Sequence, residues 1–320
     1  MSGSFHYSVY GERLHSTMPF PELHPAEPGP VRWSIQLADT LPDRDGMELL
    51  GEEAIYGSVS ARLYRHVLGY RITVDDTGIF DLVNGCRTIL WQPNAEPWWD
   101  FGRSHLLGRV IPMAMQVAGI MTLHGSGVQV ADGVIGFVAP KHTGKSTLAR
   151  LLLEAGARFV TDDALPLTTH APILALPGIP SIRLRPGVDG TSGQGEDVRA
   201  GRDGKIALPP LDAGRVLSGR APVAAIYLVT PARAQADVAP VRRRRLAGSP
   251  AVMGLVSQAK IGAMLGGRFA GALLRGAASI AAAVPVYELA VARDIDRLDE
   301  VVDQILTWHG GSIPLRVPAG

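Results

Sequence analysis

Residues 134–154 read VIGFVAPKHTGKSTLARLLLE. The five residues Val134–Val138 are an apolar run of strand length. Ser146–Glu154 carries Leu148, Leu151 and Leu152 at helical spacing, and Gly156 supplies a stop. Between strand and helix stands Ala139-Pro140-Lys141-His142-Thr143-Gly144-Lys145-Ser146-Thr147. This fits a phosphate loop: a small residue, four free positions, then Gly-Lys-Ser/Thr. Ala139 stands where the strict pattern has Gly. The physics of the pattern is specific. Backbone N–H groups of the loop and the helix start converge on an anion. Gly144 leaves the backbone room to wrap phosphates. Lys145 offers charge to the β- and γ-phosphates, and the Ser146 hydroxyl can ligate Mg²⁺. A chance match is the alternative, and the flanking strand and helix argue against it. The stretch implies a bound nucleoside triphosphate.

Working outward, Val128–Val130 and Val134–Val138 flank Ala131-Asp132-Gly133, which predicts a hairpin. His105–Ala118 is apolar at helical spacing up to Gly119, and Met121–Leu123 begins the next element. Downstream, Phe159–Thr161 and Val223–Val229 read as strands, and residues 249–283 as mostly helical. Val286–Leu289 reads as a strand and Ile295–Trp308 as an amphipathic helix. Strands alternating with helices predict an α/β domain. The first hundred residues differ. Phe5–Leu23 carries aromatic residues, and Pro19–Pro30 is proline-rich. Strand-forming runs follow at Val31–Leu37, Ala54–Leu63, Tyr70–Val74, Gly78–Val83 and Thr88–Gln92, with a turn at Asp75-Asp76-Thr77-Gly78. We expect a β-rich domain over 1–104, the α/β domain over 105–310 and a tail over 311–320, with the boundary marked by Asn94–Asp100. Arg185–Arg202 is a long aperiodic loop of the kind that forms lids. No internal repeat is visible.

Composition narrows the classes. Of 320 residues, 46% are hydrophobic and 19% charged, a globular balance. A net charge of +1 does not point to nucleic acid. The single cysteine, Cys86, excludes an internal disulfide. No basic-then-apolar signal segment opens the chain. Arg268 and Arg275 interrupt the apolar stretch Ile261–Val284, which argues against a membrane span. We expect a cytoplasmic protein, and a homo-oligomer is compatible with the sequence. Nine histidines show no zinc spacing. Arg242–Arg245 reads as a solvated face, and Trp98-Trp99 as packing.

Thr161-Asp162-Asp163 ends the strand after the loop helix. Strand ends on one side of a parallel sheet share a crevice, so the pair is expected to face the phosphates. One carboxylate can hold Mg²⁺ and the other can accept a proton from an attacking hydroxyl. A turn or helix cap is the competing reading. His124, in Leu123-His124-Gly125-Ser126-Gly127, has no chemical reading on its own.

Together, His124-Gly125, the turn at Asp132-Gly133, Gly144-Lys145-Ser146, Ala155-Gly156 and Asp162-Asp163 resemble the catalytic domain of HPr kinase/phosphorylase in order and spacing. The strand Pro285-Val286-Tyr287-Glu288-Leu289 with the helix Asp294–Leu306 is similar to HPr-kinase-related proteins of bacterial biosynthetic clusters, as are Tyr10-Gly11 and Pro19–Leu23. Some of those accompany lasso-peptide genes and phosphorylate a serine of the precursor. The resemblance implies roles. Asp162 would be the general base with His124 beside the catalytic carboxylate; that order comes from position along the chain. Asp163 and Ser146 would serve the metal, and Lys145 the phosphates. Where the bifunctional family has Glu-x-Arg-Gly, this chain reads Pro177–Arg185 with arginines and no Glu, so neither phosphorylase activity nor HPr as substrate is implied. Arg183, Arg185 and Lys205 are candidates for phosphate or acceptor contacts. The expectation is an ATP- and Mg²⁺-dependent kinase acting on a hydroxyl, foremost a serine of a peptide or protein. The rivals are a kinase of a small-molecule hydroxyl and a nucleotide-binding sensor without transfer.

Overall fold

The computed structural model describes residues 3–94, 99–184, 206–207, 210–235 and 237–310. Two large sheets and the helices packed on them organise it, so the chain is mixed α/β.

The first sheet is built from β1 (Phe5–Val9), β2 (Glu12–Ser16), β3 (His24–Pro25), β4 (Trp33–Leu37), β5 (Glu48–Tyr56), β6 (Val59–His66), β7 (Gly69–Val74), β8 (Gly78–Val83) and β9 (Thr88–Pro93). Its order is β3-β1-β2-β4-β9-β8-β7-β6-β5. From β5 to β9 it is an antiparallel meander, as short polar turns between strand-forming runs dictate. The Asp75 carboxylate sets the β7–β8 turn, accepting from the Ser60 amide at 2.9 Å and from Arg62. The run Ala54–Leu63, expected as one strand, is the hairpin β5–β6, because Gly57-Ser58 turn the chain there. Phe5–Ser16, read only as aromatic-rich, forms the hairpin β1–β2 around Tyr10-Gly11.

A helical connector follows. It runs α1 (Trp99–His105), a π-helical turn over Leu106–Val110 and α2 (Ile111–Val117). It starts earlier than the expected His105 and is interrupted by the π turn.

The second sheet comprises β10 (Met121–Leu123), β11 (Gly125–Val130), β12 (Gly133–Val138), β13 (Arg158–Thr161), β14 (Leu165–Leu167) and β15 (Leu174–Ala175). A two-stranded ladder, β16 (Arg183–Leu184) with β17 (Ile206–Ala207), stands apart. The sheet continues through β18 (Ala221–Ala232), β19 (Val241–Leu246) and β20 (Val286–Ala292). The helices are α3 (Lys145–Glu154), α4 (Ser249–Ser257), α5 (Gly262–Ala283), which packs mainly on β5 and β6 of the first sheet, and α6 (Leu298–Trp308). The sheet is mixed rather than parallel. β12, β18 and β20 run parallel, while β11 is antiparallel to both β12 and β13.

Alternation along β12 explains the layering. Ile135 and Phe137 face α3 and α6, where they meet Leu148, Leu152, Val301 and Ile305. Val134 and Val138 face the opposite layer, whose core runs without a break through Tyr10, Leu107, Leu123, Leu165 and Leu265. That core joins the two sheets. The expected boundary region, Asn94–Asp100, spans the end of β9 and the start of α1, and residues 95–98 lie outside the described residues. So do Trp98, the Trp99 side chain, the loop 185–202 and the tail 311–320.

The arginine run is strand β19, which pairs with β20. Arg242, Arg244 and Arg245 are exposed, but Arg243 is half-buried, 4.9 Å from the Tyr287 ring centre and 4.4 Å from that of Trp308. Among the described residues no helix is long and apolar enough to cross a membrane. Ile261–Val284 is largely α5, with a non-helical residue at Gly266.

Candidate active site

Strand direction assembles the site. β13 is antiparallel to β11, which is antiparallel to β12, so β12 and β13 run the same way. Their C-terminal ends therefore reach one edge of the sheet, and the N-terminal end of β11 starts there. The register shows this: Gly125 lies opposite Val138, and Gly127 opposite Thr161. His124 before β11, the loop after β12 and the Asp pair after β13 are neighbours for that reason.

The loop turns sharply into α3. Gly144 sits at φ 92°, a conformation that costs Gly little, and caps the helix through its carbonyl, which accepts from the Leu148 amide at 2.9 Å. The Thr143 hydroxyl donates to the Pro140 carbonyl at 3.0 Å and braces the bend. Lys145 is buried, and its ammonium donates to the carbonyls of Ala139 at 2.8 Å and Pro140 at 2.9 Å. A buried ammonium requires such acceptors. The lysine charge is thereby held at the start of α3, where backbone N–H groups point outward.

Asp162 is buried at the foot of the loop. Its Oδ1 accepts from Ser146 at 2.9 Å and from Ser126 at 2.6 Å. Asp163 takes the left-handed backbone conformation, φ 69°, which Asp tolerates better than most residues. The Thr161 hydroxyl closes the turn by donating to the Ala164 carbonyl at 2.6 Å. Asp163 consequently points elsewhere. Its Oδ1 lies 3.5 Å from His124 Nδ1, and its Oδ2 forms an ion pair with Lys260 Nζ at 2.6 Å. The pairing departs from the chain-order expectation. Ser146 donates to Asp162, the expected base, and His124 lies beside Asp163, the expected metal ligand. The cause is the turn at Asp163, which swings the second carboxylate away from the loop.

Lys260 and Ser126 are site residues that sequence reasoning missed. Lys260 is the lone lysine of 249–283 and lies at the break between α4 and α5. Its being the one lysine of a largely apolar, small-residue-rich stretch was the available signal. Burial lowers the Lys260 pKa, and the Asp163 charge opposes the shift. Ser126 sits between two glycines in β11, where its neighbours give no hint of function.

Tyr10, at the tip of the β1–β2 hairpin, is fully buried, and its hydroxyl donates to the Leu107 carbonyl at 2.8 Å. Burial first and then the Asp163 charge push its pKa up. The first sheet thus contributes a wall close to the carboxylates. On another side, the Gly178 amide donates to the Val160 carbonyl at 2.7 Å, so the Pro177–Arg185 segment begins beside the Asp pair. Arg183 opens β16, and its side chain lies outside the described residues, as do Arg185 and Lys205.

Among the described residues no group of three or more His, Cys, Asp or Glu side chains is gathered to hold a metal. The Ser146 hydroxyl and Asp162 carboxylate are hard oxygen donors. Mg²⁺ characteristically takes one or two such protein ligands and completes its shell with phosphate and water.

No protein-family model matches the chain, and no curated protein matches it. Among solved structures, the chain is similar to the Hpr(Ser) kinase/phosphatase from Coxiella burnetii, with 12% identity over 59% of this chain and 89% of that one, at a TM-score of 0.35. A likeness at that level carries no functional weight, and the functional reading rests on the residues themselves.

Proposed function

We propose that this chain is an ATP-dependent kinase of the HPr-kinase type, moving the γ-phosphoryl group onto a hydroxyl, foremost a serine of a peptide or protein. The observation that carries the reading is the hydrogen bond from Ser146 to Asp162. It joins the first turn of the loop helix to a strand-end carboxylate, as magnesium-dependent phosphoryl transfer requires. A phosphate loop alone would serve a sensor equally well. The second carboxylate, Asp163, with His124 beside it, gives the site a proton acceptor that a sensor has no use for.

In this reading the backbone N–H groups of Lys141–Ser146 cradle the β- and γ-phosphates, and Lys145 exchanges its loop carbonyls for phosphate oxygens. Ser146 and Asp162 would hold Mg²⁺, which supplies charge neutralisation on the triphosphate when bound. Asp163 accepts the proton of the attacking hydroxyl. It is chosen over Asp162 because Asp162 is buried and already receives two hydroxyls, whereas the Asp163 side chain is 27% exposed. His124 orients it. Phosphoryl transfer has a loose transition state, so positioning and charge carry most of the catalysis and a strong base is unnecessary. Sheet edges at β3 and β19 support a peptide acceptor over a small molecule, since extended chains can add to exposed strands.

The test is ATP binding by calorimetry and release of phosphate from γ-labelled ATP, with Mg²⁺, on the full chain and on Lys145→Ala. Binding and turnover lost in Lys145→Ala support the reading. Wild type that neither binds nor turns over ATP would sink it.

A further inference from the structure

Two partners of Asp163, His124 and Lys260, come from one short backbone ladder. The His124 amide donates to the Gln258 carbonyl at 2.6 Å, and the Lys260 amide donates to the Thr122 carbonyl at 2.8 Å. Leu123 and Ala259 form an antiparallel bridge between them. The α4–α5 junction therefore runs as a strand fragment beside the approach to β11. His124 and Lys260 project from its two sides onto the two oxygens of one carboxylate.

Lys260 is costly where it stands. Its side chain is 8% exposed, and a buried ammonium is tolerated only when paired. The Arg109–Glu53 pair, at 3.2 Å, lies close enough for both charges to act on Lys260. Glu53 belongs to β5 of the first sheet and Arg109 to the π turn. A left-handed backbone at Asp163 likewise persists only where surroundings over-determine it. A cavity-filling aliphatic residue would pack this junction more cheaply, so the arrangement calls for a reason beyond stability.

We propose that Lys260 is a positioning residue for phosphoryl transfer: it clamps Asp163 Oδ2 so that Oδ1, beside His124, is the oxygen presented to the acceptor hydroxyl. This rests on the kinase reading and adds to it a residue from outside the loop and the Asp pair. Lys260 touches neither phosphate nor acceptor in this role. It fixes one of the two Asp163 oxygens. Without the clamp, the carboxylate rotates between His124 and the open edge, and fewer encounters have the oxygen aligned.

The experiment uses the full chain, with Mg·ATP as the probe and water as the acceptor. Lys260→Met and Lys260→Arg are compared with wild type and Lys145→Ala for ATP affinity by calorimetry and for kcat of phosphate release. Lys260→Met is expected to keep ATP affinity within ~2-fold. Its kcat should fall ~30-fold or more, with Lys260→Arg restoring most of the loss. A merely structural lysine would lower affinity, kcat and melting temperature together and would not separate kcat from affinity. Lys260→Met with wild-type kcat overturns the proposal and leaves the kinase reading intact. If Lys260→Met does not fold, Lys260→Arg decides. Wild-type affinity with kcat reduced less than ~5-fold supports the clamp, and a matched loss of both overturns it. Wild type without ATP turnover overturns both readings.

Discussion

Ser146 Oγ donates to Asp162 Oδ1 at 2.9 Å, so the first turn of α3 and the end of β13 meet at one carboxylate oxygen. Asp162→Asn removes the negative charge at that meeting. The Mg²⁺ concentration for half-maximal ATP turnover should rise at least ~10-fold, since even residues behind metal ligands cost that much. A magnesium titration of the turnover rate checks this, and an unchanged midpoint removes Asp162 from the metal site.

Asp163→Asn should behave differently. It keeps the side chain's size but cannot accept the acceptor's proton. ATP affinity should stay near wild type while kcat falls ~10²-fold or more. Single-turnover measurement on preloaded enzyme separates the two. If Asp162→Asn shows the pure kcat defect instead, the two roles are exchanged.

Lys145→Ala removes the buried ammonium that now bridges the Ala139 and Pro140 carbonyls. A charge-assisted hydrogen bond contributes about 1.5–3 kcal/mol. ATP affinity should therefore drop by ~10- to 100-fold, read by calorimetry.

Far from the site, Asp81 is fully buried between Arg71 at 2.9 Å and Arg44 at 2.8 Å, with His66 at 3.3 Å. Burial pushes its carboxyl pKa up, but the hydrogen bonds and charges of Arg71 and Arg44 outweigh that and leave it below the ordinary aspartate value. A depressed folded-state pKa contributes stability that is present above the unfolded value, about 3.9, and is lost as pH falls through the folded one. Asp81→Asn should cost about 3 kcal/mol at neutral pH by stranding the arginines. Denaturant melts at pH 7 and near pH 3 should show the wild-type advantage shrinking on the acid side.

Gly178→Ala tests the packing beside the Asp pair. A methyl there would collide with the side chain of Thr161, whose hydroxyl closes the turn into Asp163. Overpacking of this kind costs about 1–3 kcal/mol. The melting temperature should fall, and ATP turnover should fall further than melting alone explains. Full activity in the variant would show that the turn does not depend on this contact.

The loop, its strand and its helix were legible because they are local: an apolar run, a glycine-lysine-serine corner and helical leucines occupy 134–154 without interruption. The hairpin before it and the meander of β7–β9 were legible for the same reason, through turn residues between alternating runs. What was hidden is non-local. Nothing near Lys260 announces a partner at Asp163, 97 positions away. The strand character of Arg242–Arg245 was hidden because arginine has little β preference; β20 and the rings of Tyr287 and Trp308 stabilise it there. The pairing of the two aspartates was hidden in a single backbone angle at Asp163.

The turn Ala131-Asp132-Gly133 joins β11 to β12 at the end of the sheet opposite the loop, and Ala131 and Asp132 are exposed. Anything grafted there, whether a fluorophore or an inserted reporter peptide, is wired to the edge that carries the Gly144-Lys145-Ser146 loop by two strands that both end at it. That makes this hairpin corner a handle through which the protein can be tethered to a surface, or its motions watched, with the loop and the Asp pair left unobstructed.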